Sequence, residues 1–399
     1  MGDILHIRRG ASPRPIHDYI RKEGMPWLKI ADVTGSGSRF VDSTREFIKE
    51  EGIKNSVVVK PGDLILSNSA TPGIPRFMRI TACVHDGWLI LEPRDTTINK
   101  NFLYYRLIID RQKLVSNVTG AIFDNLKTDI LKEHEINLPV LDEQKRIAAI
   151  LSAFDDKIEN NNKIIKMLEE MAQAIFKEWF VKFRFPGNEK TEFVDSELGR
   201  IPKGWEVGKI NSLIIFVSGY PFSSKLYNPK SGLGVVTIKN VQDGNFVTQC
   251  DTFIEKENLP NNVNPACILK TGDVILSLTG NVGRVCYVYG GEYLLNQRVA
   301  KLAPKRQNDE AFTYFLFRQN SMQNYLINLA KGSAQPNLSP VETSNILLAI
   351  PPASVLDKFS KIAKLVYDQL LACTNQSMAL ASLRDLLLPK LMSGEIEVK

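Results

Sequence analysis

Each half of the chain carries arginine, lysine, serine, threonine and asparagine in short runs broken by glycine and proline. Those side chains suit one chemistry above others, namely charge contacts to phosphates and hydrogen bonds to the base edges of a nucleic acid. In the first half the candidates are Arg8, Arg9, Ser12, Arg14, Ser67, Asn68, Ser69, Thr71, Arg76 and Lys127. In the second half they are Ser218, Tyr220, Ser223, Lys225, Ser277, Thr279, Asn281, Arg284, Arg298, Lys331, Ser333 and Gln335. All are expected on loops, where recognition residues gather and periodicity gives no guide. For each, the competing reading is a solvated residue or a turn former. Asn125 and Asn337 fit turn capping at matched places, and Gly62-Asp63 and Gly272-Asp273 fit turns leading into strands. An aspartate facing phosphate would be repelled, so neither Asp63 nor Asp273 joins the candidates.

Signatures of bond-making chemistry are missing. Pro351-Pro352 is preceded by Ile350 and followed by Ala353, so it is not the Asn- or Asp-Pro-Pro-aromatic run of an adenine methyltransferase. Gly35-Ser36-Gly37-Ser38-Arg39-Phe40 lacks the third glycine of a dinucleotide loop, and no phosphate-binding loop ending in Gly-Lys-Ser/Thr occurs. There is no Gly-x-Ser-x-Gly nucleophile elbow. Four scattered histidines (His6, His17, His85, His134) and five cysteines without metal-ligand spacing argue against a metal site. No catalytic residue and no metal ligand is therefore expected.

The elements that position the candidates come from a chain of 399 residues, enough for two or three domains, with 44% hydrophobic and 24% charged residues. A net charge of +6 permits a polyanionic partner without demanding one. The odd number of cysteines reads as reduced thiols, and the N-terminus shows no apolar signal segment; a cytoplasmic protein without membrane contact is expected.

The chain repeats itself once. Lys60-Pro61-Gly62-Asp63-Leu64-Ile65-Leu66-Ser67 matches Lys270-Thr271-Gly272-Asp273-Val274-Ile275-Leu276-Ser277 at six of eight positions. Gly10 with Gly219, Ile30 with Ile238, Gly73 with Gly283, Gly120 with Gly332, Asn125 with Asn337 and Pro139 with Pro351 follow in the same order, at an offset near 210. Each copy opens with short apolar runs separated by turn residues, which predict strands at 27–33, 57–59, 64–66, 235–238, 274–278 and 284–288. Each copy then closes with a long helix.

In the first helix, apolar residues alternate at spacings of four and three through Ile147, Leu151, Phe154, Ile158, Ile165, Leu168, Ala172, Ile175 and Trp179, with Asn161 filling the gap. Asp142 fits its N-cap and Pro186-Gly187 its end. In the second the seam runs Phe359, Ile362, Val366, Gln369, Cys373, Gln376, Leu380, Leu383 and Leu387, with Ser354 and Asp357 as a capping box and Pro389 ending or kinking it. Such seams average 3.5 residues per turn and predict that the two helices pack on each other as a coiled coil; if they run antiparallel, the polar Asn161, Gln369 and Gln376 meet near the middle. The competing reading packs each helix on its own globular domain. Helices of about 34–42 residues would span roughly 50–60 Å. B-DNA repeats every ~34 Å, so a globular domain at each end of such a rod would suit two half-sites with an unread spacer.

Leu138-Pro139-Val140-Leu141-Asp142-Glu143-Gln144-Lys145-Arg146-Ile147, Leu151-Ser152-Ala153-Phe154-Asp155-Asp156-Lys157-Ile158-Glu159-Asn160-Asn161 and the helix end from Ala172-Gln173-Ala174-Ile175 to Trp179-Phe180-Val181-Lys182-Phe183 resemble the first helical region of type I restriction–modification specificity subunits. Glu197-Leu198-Gly199-Arg200-Ile201-Pro202-Lys203-Gly204-Trp205-Glu206-Val207 is similar to that family's approach to its second domain. Leu278-Thr279-Gly280-Asn281-Val282-Gly283-Arg284, Leu295-Asn296-Gln297-Arg298-Val299 and the tail around Leu383-Arg384-Asp385-Leu386-Leu387-Leu388-Pro389 complete the resemblance, which covers essentially the whole chain.

The resemblance implies a mixed α/β (α+β) fold with two target recognition domains (residues 1–138, and 187–350 with its leading linker) and two helical regions (139–186 and 351–399) that form the coiled coil. It implies a non-catalytic subunit that reads a bipartite asymmetric site in double-stranded DNA. Partner modification subunits, two of them, would methylate adenine N6 with S-adenosylmethionine, and restriction subunits would use ATP and Mg; this chain would bind no cofactor. The alternative is a silent scaffold that holds modification subunits without reading DNA. One departure favours it: the second copy opens with Pro202-Lys203-Gly204-Trp205-Glu206-Val207, whereas nothing matching precedes Met1-Gly2-Asp3. Either the start lies upstream or the first domain lacks its opening strand.

Overall fold

A computed structural model of the chain describes residues 1–35, 37–116, 125–330 and 336–398. They form two compact units, Met1–Glu159 with Ala379–Lys399, and Asn160–Met378.

In the first unit the strands are β1 (Leu5–Arg9), β2 (Ile20–Arg21), β3 (Met25–Leu28), β4 (Phe40–Val41), β5 (Glu46–Ile48), β6 (Val57–Val59), β7 (Leu64–Ser67), β8 (Pro75–Met78), β9 (Ala82–Val84) and β10 (Trp88–Pro93). They build two sheets, in the orders β1-β10-β7-β8-β4 and β2-β5-β3-β9-β6. The run expected as one strand over 27–33 divides into β3 and a helical turn, Ala31–Thr34. β7 and most of β10 are buried throughout, which explains their unbroken apolar runs in place of an alternating pattern.

The second unit has β11 (Phe193–Ser196), β12 (Gly199–Pro202), β13 (Glu206–Lys209), β14 (Ile214–Ser218), β15 (Leu233–Val236), β16 (Val241–Gln242), β17 (Asn245–Phe246), β18 (Phe253–Ile254), β19 (Ile268–Leu269), β20 (Val274–Ser277), β21 (Val285–Tyr287), β22 (Tyr293–Leu295), β23 (Val299–Pro304) and β24 (Leu347–Ile350). Its main sheets run β14-β23-β20-β21 and β18-β15-β22-β19. Strand for strand this repeats β1-β10-β7-β8 and β5-β3-β9-β6, including the matched parallel pairs β3 with β9 and β15 with β22. The fold is therefore mixed α/β and duplicated. The pair β13 with β24 has no counterpart in the first unit, where residues 135–138, which match β24, form no strand. The Met1 amino group donates to the carbonyl of His134, where in the second unit the Ile210 amide donates to Ile346.

Two long helices, Leu141–Phe176 and Ala353–Ser393, contribute to both units. Asp142 falls inside the first turn and is not the cap, and Pro389 lies within the second helix and does not end it. In the first unit Ile147, Ala148, Leu151, Leu388, Leu391 and Met392 join a core with Leu64, Leu66, Leu89, Phe102 and Tyr105. Arg146 donates to the Val398 carbonyl at 3.0 Å, and the buried Asp155 accepts from Tyr105 (2.6 Å) and from Arg384. In the second unit Asn161, also buried, donates to Gln376 Oε1 at 2.9 Å and Ser377 Oγ at 3.2 Å. Phe176 packs on Phe359 there. In each unit the two helical segments run antiparallel.

The seam needs correction in the second helix. Ile362 and Leu383 are 43% and 49% exposed, and Gln369 is exposed too. Gln369 Nε2 turns to Cys373 of its own helix. Val366, Leu380 and Leu387 are only half-buried. The buried stripe is Phe359, Ala363, Tyr367, Leu370 and Cys373. Most of it lies on a core with Val274, Leu276, Tyr314 and Phe315 of the second unit's sheet and helix. A globular body offers a broad face, so the helix turns a wider side inward than a two-helix seam would require. In the first helix Ile147, Leu151, Asn161, Ala172 and Trp179 are buried, while Phe154, Ile158, Ile165, Leu168 and Ile175 are half-buried.

Candidate nucleic-acid interface

Identical backbone turns hold the candidate loops in both units. Asp63 Oδ2 accepts the Lys60 amide, and Asp273 Oδ2 accepts the Lys270 amide, each at 2.8 Å. Beyond β7 the chain turns through Ala70 (φ 57°) and Gly73 (φ 80°); beyond β20 it turns through Gly280 (φ 70°) and Gly283 (φ 81°). Ser67 Oγ donates to the Thr71 carbonyl (2.6 Å) and accepts the Ile74 amide (2.8 Å). Ser277 Oγ likewise donates to the Asn281 carbonyl and accepts the Arg284 amide (3.1 Å).

These bonds correct two candidates. Ser67 and Ser277 are both 0% exposed and spend their hydroxyls on the turn, so neither reaches a ligand. Asn68 is also buried, its Nδ2 held by the Asp86 carbonyl at 3.2 Å. Arg76 is largely buried along β8 and donates to the carbonyls of Pro75 and Val33, and burial depresses its pKa. Arg8 sits on β1, paired with Glu92 at 2.5 Å, away from the loops. Arg284 donates to Gln242 Oε1 and lines, with Asn281, a separate cleft beside Gln323 and Pro336.

The remaining candidates of the first unit converge on one turn, residues 85–87, between β9 and β10. Arg9 Nε donates to the Asp86 carbonyl (2.8 Å), and Ser12 Oγ donates to its carboxylate (2.9 Å). Arg14 Nη2 stands 3.8 Å from the same carboxylate. The Asn68 amide donates to the Gly87 carbonyl (2.8 Å), which brings the loop with Ser69 and Thr71 alongside. The Leu126 amide donates to the Asn68 carbonyl (2.7 Å) and places the exposed Lys127 next to it. Burial alone would raise the Asp86 carboxyl, but the Ser12 hydrogen bond, its own main chain, and the nearby His85 and Arg9 outweigh it and hold the pKa below the usual range. An open cleft of about 910 Å³ lies here, lined by Ser12, Arg14, Lys29, Ser69, His85 and Asp86 over Trp27.

The second unit repeats the arrangement around residues 296–298. The Tyr220 amide donates to the Leu295 carbonyl (2.9 Å), and the Leu278 amide donates to the Arg298 carbonyl (3.0 Å). The Leu338 amide donates to the Leu278 carbonyl (2.8 Å). Tyr220 stacks near Phe222, and its hydroxyl donates to Asn262 at 2.9 Å. Ser223 caps the short turn Ser224–Leu226, leaving Lys225 exposed, and Ser218 ends β14. Thr279 bridges to Asn337. Lys331, Ser333 and Gln335 lie outside the described residues. His85 and Asp86 escaped the sequence reading. Extending the repeat through Arg298, already a candidate, would have pointed to them.

Among the described residues no group of His, Cys, Asp or Glu is placed to hold a metal ion, and no helix is long and apolar enough to cross a membrane. The five cysteines are unpaired and buried.

The profile of the type I restriction modification DNA specificity domain matches the chain twice, over residues 1–170 and 202–375. A specificity subunit of the type I restriction enzyme MjaIX from Methanocaldococcus jannaschii is 27% identical, covering 100% of this chain and 92% of its own length. The HindI specificity subunit of Haemophilus influenzae is 23% identical over 99% of this chain and 98% of its own. The crystal structure of a type I restriction-modification S subunit from M. genitalium superposes with a TM-score of 0.60 at 16% identity, covering 98% of this chain and 94% of that one. With the specificity-domain profile matching both copies, the chain belongs to the type I restriction–modification DNA specificity subunits.

Proposed function

We propose that the chain reads a bipartite, asymmetric site in double-stranded DNA, one half-site per unit, and directs methylation and cleavage that are performed by other subunits. The observation that carries this reading is the duplicated loop frame, which gathers Arg9, Ser12, Arg14, Ser69 and Lys127 in one unit and Tyr220, Ser223, Lys225 and Arg298 in the other, while the Thr279 hydroxyl is buried and reaches no ligand. Each set mixes cations for phosphates with hydrogen-bonding groups for base edges. The unread spacer is set by the two long helices.

Modification subunits, two of them, dock on those helices and methylate adenine N6 with S-adenosylmethionine. Restriction subunits add ATP- and Mg-dependent translocation and cutting, and this chain itself holds no cofactor. Exposed apolar residues on the helices support the docking: Leu365, Met167 and Met171 in the second unit, and Leu386 and Ile150 in the first.

Exchange of domains tests the reading. Replacing residues 1–138 with the matching domain of another family member is expected to change one half of the methylated motif and leave the other intact. A change in both halves would defeat the two-reader account.

A further inference from the structure

The two copies differ most sharply where their frames agree best. Residues 85–87 and 296–298 occupy the same turn. The Trp88 amide donates to the His85 carbonyl (3.1 Å) as the Val299 amide donates to that of Asn296 (2.9 Å), and the loop beyond β7 or β20 is tied to each turn by the same bond. Around them Ser67 matches Ser277, Asp63 matches Asp273 and Gly73 matches Gly283. Within the turn nothing matches: His85-Asp86-Gly87 stands opposite Asn296-Gln297-Arg298. A backbone held fixed with its side chains exchanged is what two readers of different sequences require.

The chemistry of each turn is distinct. His85 Nδ1 accepts the Gly87 amide at 2.8 Å, so the neutral ring carries its proton on Nε2. No partner for that N–H is found among the described residues, and the ring lines the open cleft with Ser69 and Lys29. Glycine at 87 leaves room for this ring position, because a Cβ would lie 2.2 Å from the His85 ring and 2.5 Å from Ser69 Oγ and would force those side chains to move. In the second unit the small Asn296 leaves that space, and Arg298 extends from the matching position into solvent, its guanidinium without a carboxylate partner among the described residues. Its main-chain amide is held by Asn296 Oδ1 at 3.2 Å.

We infer that these two turns are the base-reading elements of the two half-sites, with His85 donating from Nε2 to a base-edge acceptor in the first and Arg298 presenting its forked donors to a base in the second. Asp86 is a positioning residue that holds Arg9, Ser12 and Arg14 around the first turn. Bidentate arginine contacts favour the O6 and N7 edge of guanine, and a single imidazole N–H suits an O or N7 acceptor.

The inference rests on the proposed DNA-reading role, and its test separates the two. The full chain is co-expressed with its modification subunit in a methylation-free host, and modified adenines are mapped for the unmodified chain, His85→Asn and Arg298→Gln. His85→Asn should relax or change the motif at one position of the first half only, and Arg298→Gln at one position of the second half only. Discrimination at that position should fall roughly 10- to 100-fold. Arg298 is exposed, so its variant will fold even if His85→Asn is destabilised. If the unmodified chain gives a bipartite motif and both variants keep it unchanged, this inference is overturned while the DNA-reading role stands. If the unmodified chain gives no bipartite motif, the role itself has failed.

Discussion

Replacing Ser67 with alanine separates a residue that builds the loop from one that touches DNA. The hydroxyl is fully buried and makes two hydrogen bonds, to the Thr71 carbonyl and from the Ile74 amide. Alanine fits the space but leaves both backbone groups without that partner. Each lost bond costs about 1 kcal/mol net, and a group stranded without solvent adds to this, so a total of about 2–3 kcal/mol is expected. In a unit of about 180 residues each kcal/mol moves Tm by roughly 2–4 °C, so the first unit should melt roughly 4–12 °C lower. Calorimetry on the full chain would read this shift, and mapping of modified adenines below the lowered transition would show the original motif. Ser277→Ala should reproduce the effect in the second unit. A variant of normal stability whose motif changes in the first half would refute the reasoning and return Ser67 to the DNA contacts.

Three further outcomes follow from the same geometry. Asp155→Ala removes the hydrogen bonds from Tyr105 and Arg384 in a largely buried site while Asp385 still holds the Arg384 guanidinium, and should cost about 2–3 kcal/mol in denaturant unfolding of the first unit; a cost below 1 kcal/mol would contradict it. Burial lowers the His85 pKa, with the Lys29 charge adding to it and Asp86 opposing, so below the unperturbed value of about 6.5 the unfolded chain binds the proton more readily than the folded one. Stability should therefore fall as pH drops from about 6.5 toward the folded pKa, and His85→Asn should remove that part of the slope, which melting curves across pH would read. Arg14→Ala and Lys225→Ala should each reduce the slope of log K against log salt by about 0.9 if the side chain touches a phosphate, measured by DNA-binding titrations; an unchanged slope would remove that residue from the interface.

The duplication was legible because turns demand particular residues. Gly62-Asp63 and Gly272-Asp273 recur since each turn needs a positive φ followed by a carboxylate that caps the amide three residues back. The long helices were legible from spacing alone. Which side of the second helix faces inward was not, because Ile362 and Ala363 are both compatible with an apolar stripe and only the bulk of the packed domain selects Ala363. The interface was half legible. Serine and asparagine build turns as readily as they read bases, so Ser67, Asn68 and Ser277 could not be sorted by type. His85 and Asp86 belong to no periodic pattern; the repeat marks their turn through Arg298, but their role emerges when β9 and β10 bring Arg9, Ser12 and Asn68 to them.

The most direct test of the account is a methylation map of the unmodified chain, co-expressed with a modification subunit of its own system in a host lacking adenine methylation. The account predicts a single motif of two short, unlike halves separated by a gap of fixed length. No new methylation, with both subunits soluble and associated, or a continuous motif without a gap, would contradict it.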